Sequence, residues 1–261
     1  MLLFWIGFFS LGFLVATIAY IFARKRGIMA IVDIIWTGGL GFSALAYFIL
    51  LDLDSIRSRF VLIIILAWSL RLSFYLLRDR VLRGHEDPRY KSLAEYWGEK
   101  APIRFYFLFL LQILFIALFL IPVLVAMDNP KPFGHLTDII GLGIAFMSML
   151  GEALADRQLA VFRAQPSNRL GVCRSGLWRY SRHPNYFFEW LYWFSYTLLA
   201  LGSSLAWLSW IGPLAMYLFL RFVTGVPYAE RSSLKSRGEA YRHYQATTNT
   251  FFPWTPRKPQ T

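Results

Sequence analysis

The chain has 261 residues, of which 57% are hydrophobic and 16% are charged, and its formal net charge is +12. Soluble domains carry about 45–50% apolar and about 25% charged residues. Here the apolar residues form long runs, such as residues 2–23 and 103–127, the second with one arginine near its start. Runs longer than about 18 residues are typical of membrane helices. The composition excludes a soluble enzyme, a disordered protein and a disulfide-rich secreted module, and it predicts an all-α polytopic membrane protein.

The cysteine count and the net charge limit the ligands and partners that the protein can have. Cys173 is the single cysteine, so an internal disulfide is impossible, and no Cys/His set has the spacing of a metal site. We therefore predict no metal. The positive charge alone leaves nucleic acid, anionic lipid and a phosphorylated ligand as alternatives.

Seven transmembrane helices are predicted, with an amphipathic tail after them. They cover residues 2–23, 28–51, 60–78, 104–127, 136–155, 186–202 and 205–223. Gly141, Gly143 and Gly151 are expected to split the fifth helix. The tail segment 229–245 has the pattern of an amphipathic helix that lies on the membrane surface.

The distribution of basic residues predicts the orientation. If the N-terminus is outside, 23 of the 27 Lys and Arg residues lie in or beside the cytoplasmic segments. The positive-inside rule therefore predicts an N-out, C-in topology. It also removes nucleic acid as a partner, because most of this charge sets the topology. The chain is treated as one domain, 1–261.

Polar side chains inside the apolar runs are candidates for function, because burying a charge in lipid is costly. Five runs contribute such residues near their cytoplasmic halves, which favours a shared cavity. A structural pair between Asp33 and Arg71, or side chains that reach back to the interface, is the alternative. The candidates are Asp33, Trp36, Arg71, Tyr75, Gln112, Glu152, Asp156 and Glu189.

The stretch from Asp156 to Glu189 combines arginines with aromatic residues. Arginine suits phosphate, and aromatic rings can stack on a base. Pro184 is expected to open the sixth helix. No glycine-rich nucleotide fingerprint is present, so any cofactor site is of another kind. A basic loop that touches anionic lipid is the alternative. Candidates within and after this stretch are Arg163, Asn168, Arg182, His183, Asn185, Tyr186, Tyr241 and Tyr244. The two tail tyrosines, Tyr241 and Tyr244, either pack under the loops or close a cofactor cavity.

These motifs resemble a known family. Residues 176–186, Gly-Leu-Trp-Arg-Tyr-Ser-Arg-His-Pro-Asn-Tyr, with Glu189 and the tail pattern Glu230, Tyr241, Tyr244 and Pro253, are similar to the C-terminal domain of the steroid 5α-reductase family. Bacterial members carry similar segments at 33–36 and 68–72. Sterol C14 reductases and isoprenylcysteine carboxyl methyltransferases share the architecture.

The resemblance implies an NADPH-dependent reductase of the bacterial inner membrane, with its active site facing the cytoplasm. It implies substrate-cavity helices in 1–135 and a cofactor-binding part in 136–261. By position, Asp156, Arg163, Asn185 and Glu189 match residues that hold the dinucleotide, and Arg71, Tyr75 and Asp79 match a third-helix cofactor set. The substrate positions of the family hold Trp36 and Trp68 here, so that steroid specificity is not implied, and Gln112 is a third substrate candidate.

The implied reaction transfers hydride to a carbon–carbon double bond of a hydrophobic enone, such as a steroid, sterol or isoprenoid-like lipid that enters from the bilayer. A buried acid must polarise the carbonyl group. Asp33, kept protonated by burial, is the first candidate and Tyr75 the second. A methyltransferase that uses S-adenosylmethionine (SAM) is the alternative, and a non-catalytic lipid-binding protein is a third hypothesis.

Overall fold

The computed structural model describes residues 1–84, 86–168 and 170–257. Within this part of the chain the structure is helical and contains no strand, which confirms the all-α prediction. Nine α-helices occupy the described residues. They are α1 Leu2–Arg26, α2 Ile31–Leu50, α3 Ile56–Leu76, α4 Pro88–Trp97, α5 Ala101–Met127, α6 Leu136–Ala164, α7 Pro184–Ala200, α8 Ile211–Leu218 and α9 Val226–Thr247.

The apolar helices make this a polytopic membrane protein. Six helical stretches among the described residues are long and apolar enough to cross a bilayer. In addition, α7 has 17 residues, at the lower end of the length range of membrane helices. The last of the six stretches is Ala206–Thr247, but its apolar part ends at Val223. Beyond this point α9 is rich in charged residues, and it is not a membrane-spanning segment.

Local sequence explains where helices begin and end. Gly27 ends α1 with φ of 68°, a left-handed conformation that glycine adopts without strain. The Ser55 side chain accepts a hydrogen bond from the Ser58 N–H at the start of α3. Asp87 caps α4 in the same way, and a proline follows it. α7 begins at Pro184, as predicted.

Two predictions about α6 are wrong. The helix is continuous through Gly141, Gly143 and Gly151, and it extends to Ala164, nine residues beyond the predicted end. The extension is polar, so hydropathy did not include it. As a result, Arg163 lies on the helix rather than in the predicted cytoplasmic segment.

The chain divides into two compact units. Unit 1 comprises Met1–His135 and Leu199–Ile211, and unit 2 comprises Leu136–Leu198 and Gly212–Thr261. In unit 1, the Ser69 hydroxyl of α3 donates to the Thr37 carbonyl of α2 at 2.8 Å, and Gly41 leaves the space for Ser69. In unit 2, Gly151 of α6 leaves space for the Phe188 ring of α7. Small residues thus allow close helix packing. The assignment of substrate and cofactor parts stays a prediction.

Candidate functional site

In unit 1, Asp33 is the centre of a polar cluster. It lies in the first turn of α2. Its carboxylate accepts hydrogen bonds from Arg89 Nη2 at 2.7 Å and from the Tyr90 hydroxyl at 2.5 Å, both on α4. Arg80 Nη1 lies 3.7 Å away. These partners differ from the predicted Arg71, because Arg89 and Tyr90 of α4 engage both carboxylate oxygens of Asp33.

Two further acids complete this cluster. Asp87 is ion-paired with Arg80 and, at 2.9 Å, with Arg89. Burial alone would raise the pKa of Asp87, but hydrogen bonding and charge from Arg89, with the charge of Arg80, lower it below its ordinary value. Glu86 accepts hydrogen bonds from the N–H groups of Met29 and Ala30, which precede α2. The cluster therefore fastens α4 to the start of α2.

Two of the predicted substrate residues, Trp36 and Trp68, contact each other through their aromatic rings. The Trp36 ring meets Trp68 edge to face at 5.4 Å and Phe119 at 5.6 Å. Trp68 has no exposed surface. The Gln112 amide donates to the Leu108 carbonyl of its own helix at 3.3 Å.

The third-helix residues are spread over two elements. Tyr75 is 49% exposed near the end of α3, and Arg71 lies one turn before it, partly buried. Asp79 lies in the π-helical turn Leu77–Leu82 that continues α3. Its carboxylate is ion-paired with Arg83 at 3.2 Å and Arg80 at 3.6 Å.

In unit 2, Arg182 lies just before α7 and is buried. Its Nε and Nη2 donate to the two carboxylate oxygens of Glu230, at 2.7 and 3.2 Å. Its Nη1 donates to the carbonyls of Gln245 and Thr248, and its Nη2 also donates to the Thr250 hydroxyl. These bonds engage all five guanidinium donors. Arg182 therefore ties α9 and the following segment to the start of α7, and no donor is left for the predicted cofactor contact.

His183 shares the Glu230 carboxylate. Its Nε2 lies 3.1 Å from Glu230 Oε1, and because a carboxylate only accepts, this nitrogen carries the proton. Burial lowers the pKa of His183, although the hydrogen bond and charge of Glu230 act in the opposite direction. The imidazole ring stacks on Tyr186, with 5.3 Å between centroids. His183 is thus a neutral, buried group.

The two predicted tail tyrosines belong to the same network. Tyr241 donates to Glu230 Oε1 at 3.2 Å. The buried Tyr244 hydroxyl is bonded to the carbonyls of Trp178 and Ser181. These contacts agree with the alternative in which the two tail tyrosines pack under the loops.

Three predicted cofactor residues lie together where α6 meets α7. Asn185 Nδ2 donates to Asp156 Oδ1 at 3.1 Å. Glu189, one turn further along α7, is buried and accepts a hydrogen bond from Trp193 Nε1 at 3.2 Å. Asp156 and Asn185 are both partly exposed.

Beyond them, Arg163 and Asn168 line a pocket of about 310 Å³ with Gln165, Pro166, Ala164 and Arg237. The Asn168 amide donates to the Phe162 carbonyl and to Gln165 Oε1, at 3.1 and 2.8 Å. Arg169, another arginine of this stretch, lies outside the described residues. Two residues that are central here were not predicted as site residues. Glu230 was present in the tail pattern, whereas nothing in the sequence distinguished Arg237 from the other tail cations.

The fold and these clusters define a helical membrane protein with a polar, arginine-rich site built from α6, α7 and α9. The family described as "Protein of unknown function (DUF1295)" matches residues 19–248, and the chain belongs to this family.

An uncharacterized protein of Schizosaccharomyces pombe is 29% identical in an alignment of length 214 that covers 71% of this chain. The aligned part spans about 60% of the length of that relative. No solved structure matches the chain.

Proposed function

We propose that the protein is an NADPH-dependent membrane reductase that transfers hydride to a carbon–carbon double bond of a hydrophobic enone. The substrate class is a steroid, sterol or isoprenoid-like lipid. The observation that carries the proposal is the hydrogen-bonded pair Asp156–Asn185, with Glu189 one turn deeper. These are the residues that the likeness to steroid 5α-reductases assigns to the dinucleotide.

The chemistry of the donor set fits this cofactor. Carboxylates such as Asp156 accept hydrogen bonds from ribose hydroxyls, and the Asn185 amide both donates and accepts. Arg163 supplies a cation suited to phosphate. Bound NADPH would supply the hydride, and the protein's part is to hold and orient it.

The contacts of Asp33 change the choice of acid. One carboxylate oxygen of Asp33 pairs with Arg89 at 2.7 Å and the other accepts a hydrogen bond from Tyr90, so both oxygens are engaged by α4. The Tyr75 hydroxyl can donate, and we assign it the task of polarising the carbonyl as negative charge develops. Asp33 then becomes a positioning residue that fastens α4.

The proposed topology determines from which side the cofactor and the lipid enter. In an N-out, C-in orientation in the inner membrane, the ends of α6 and α7 that carry Asp156 and Asn185 face the cytoplasm, where NADPH is found. The lipid reaches Trp36, Trp68 and Gln112 from the bilayer. Helices that cross the bilayer keep water away from the reacting groups.

A direct binding measurement tests the proposal. Full-length protein in nanodiscs is titrated with NADPH and, separately, with SAM. We expect NADPH to bind and SAM not to bind. Asn185→Ala should weaken NADPH binding about tenfold, through loss of a hydrogen bond next to charged groups. Binding of SAM, with no binding of NADPH, would overturn the proposal in favour of a methyltransferase.

A further inference from the structure

In unit 1, the end of α1 and the start of α5 lie side by side and run in opposite directions. The Thr17 and Tyr106 hydroxyls are 3.3 Å apart. One turn further along α1, the Tyr20 hydroxyl donates to the Pro102 carbonyl at 2.7 Å. Arg24 follows Tyr20 by a further turn on the same face of α1. It therefore lies beside the segment that leads into α5.

Exposed cations surround this contact between α1 and α5. Segments 24–26 and 91–104 contain six basic and two acidic residues, a net charge of +4. The six basic residues, which we call the cationic patch, are all exposed and are Arg24, Lys25, Arg26, Lys91, Lys100 and Arg104. Within the part of the chain that the structure describes, none of them forms an ion pair with a carboxylate. The protein therefore leaves the charge of the patch unbalanced.

Trp97, the last residue of α4, indicates the depth of the patch in the bilayer. Its ring lies 4.9 Å from that of Phe105 and packs against the buried core that α1, α2, α4 and α5 share. The guanidinium carbon of Arg104 lies 5.9 Å from the centre of the same ring, and the neighbouring Tyr96 is 82% exposed. Tryptophan and tyrosine are enriched at the boundary between hydrocarbon and water. The cations beside them are therefore at the level of the lipid headgroups.

We propose that the cationic patch binds the headgroup of an anionic phospholipid, between Arg24 on α1 and the pair Lys100 and Arg104 on α5. The two residues of the pair are four positions apart, so that they share one face. An arginine donates paired N–H groups to phosphate oxygens, and a lysine contributes a compact charge. The bound lipid reduces the repulsion among the cations and joins α1 to α5. The proposal goes beyond the proposed function, because it does not depend on the reaction or the cofactor.

The position of the patch favours a lipid over a soluble anion. Its cations are exposed around the ends of two apolar helices, where a lipid headgroup is always near. The N-out, C-in topology predicted from the sequence places this end of unit 1 at the cytoplasmic leaflet. Anionic lipids of that leaflet attract basic residues next to membrane helices.

Native mass spectrometry of the full-length protein tests the proposal, because it counts bound lipids during a titration with phosphatidylglycerol or phosphatidylcholine in detergent. We expect phosphatidylglycerol to bind about tenfold more tightly. Lys100→Gln combined with Arg104→Gln should weaken its binding about twentyfold, since each cation near a charged lipid contributes about fivefold. Arg24→Gln, an independent variant on α1, should weaken it about fivefold. Phosphatidylcholine binding should change less than about twofold in both variants.

The matched control removes two exposed cations from unit 2. Arg231→Gln combined with Lys235→Gln changes residues that are four positions apart on α9, and phosphatidylglycerol binding should weaken less than about twofold. An equal loss in this control, or equal affinity of the wild-type protein for the two lipids, overturns the proposal. Displacement of bound phosphatidylglycerol by inorganic phosphate also overturns it, because the patch is then a site for a soluble anion.

Discussion

Arg182 and Glu230 form a two-point ion pair, with Nε to Oε1 at 2.7 Å and Nη2 to Oε2 at 3.2 Å. Both side chains are largely buried. The pair joins the residue that precedes α7 by two positions to the second turn of α9. His183, Tyr241 and Gln245 bond to the same carboxylate, so that one anion holds four side chains of unit 2 in place.

Removing this anion should destabilise unit 2. Glu230→Gln leaves the buried guanidinium of Arg182 without its counter-charge, and we expect a loss of about 3 kcal/mol in the free energy of unfolding. Thermal unfolding in detergent measures it. Glu239→Gln is the control, because Glu239 is 82% exposed in its pair with Arg242; its loss should stay below about 1 kcal/mol. Equal stability of both variants would contradict this role of Glu230.

The same network predicts an acid-sensitive stability. Burial lowers the pKa of His183 in the folded state from its ordinary 6.5, so below pH 6.5 the unfolded chain takes up more protons than the folded one. Burial raises the pKa of Glu230, but hydrogen bonds from His183, Arg182 and Gln245 lower it from 4.5 to about 2.

The lowered pKa values of His183 and Glu230 both make the folded state more stable at neutral pH than at acidic pH. These contributions are complete above about pH 6.5, and the stability falls as the pH drops below that value and again from about 4.5 towards 2. Unfolding temperatures across a pH series measure the slope. Glu230→Gln should reduce the decline below pH 4.5. A stability that rises on acidification from pH 7 to 5 would be inconsistent with a buried neutral His183.

Gly151 sets the distance between α6 and α7. A Cβ at this position would lie 2.5 Å from the Phe188 ring, so Gly151→Ala should destabilise the protein by about 1–3 kcal/mol through overpacking. Gly143→Ala on the same helix is the control, since nothing lies within 4 Å of its added Cβ. That variant should be neutral or more stable, by about 0.5–1 kcal/mol. The unfolding midpoints of the two variants test this prediction. Equal shifts would contradict the close contact between Gly151 and the Phe188 ring.

The choice of acid can be tested by turnover. Tyr75→Phe should lower turnover about a hundredfold, the usual contribution of a positioned proton donor, and should lower NADPH affinity by a smaller factor. Asp33→Asn should mainly lower stability, because it breaks the ion pair with Arg89. If Asp33→Asn instead abolished turnover at unchanged stability, the acid would be Asp33, as first expected from the sequence.

The apolar helices were predictable because a backbone in lipid must satisfy its own hydrogen bonds, which leaves helix as the structure of every long apolar run. Pro184 and the amphipathic pattern of the tail located α7 and α9 for equally local reasons. The polar end of α6 was missed, because after residue 155 hydropathy no longer separates helix from loop.

The partners of individual side chains were harder to predict from the sequence than the helices. Burial in an apolar run suggested a protonated Asp33, yet Arg89 and Tyr90 reach it from α4, more than fifty residues away in the chain. Arg182 and Arg163 are both arginines of one basic stretch, but the first has all five donors engaged by the protein and the second faces a pocket. Only the folded arrangement of α6, α7 and α9 distinguishes them.

Transfer of hydrogen from NADPH to a lipid is the most direct test of the account. Purified protein is incubated with NADPH deuterated at the nicotinamide C4 and with a lipid extract of the source membranes, and the lipids are analysed by mass spectrometry. The account predicts a lipid that gains one deuterium and one hydrogen across a double bond, and less of this product with Asn185→Ala when NADPH is below saturation. Methyl transfer from labelled SAM to an acceptor, without any deuterium in lipid, would contradict it.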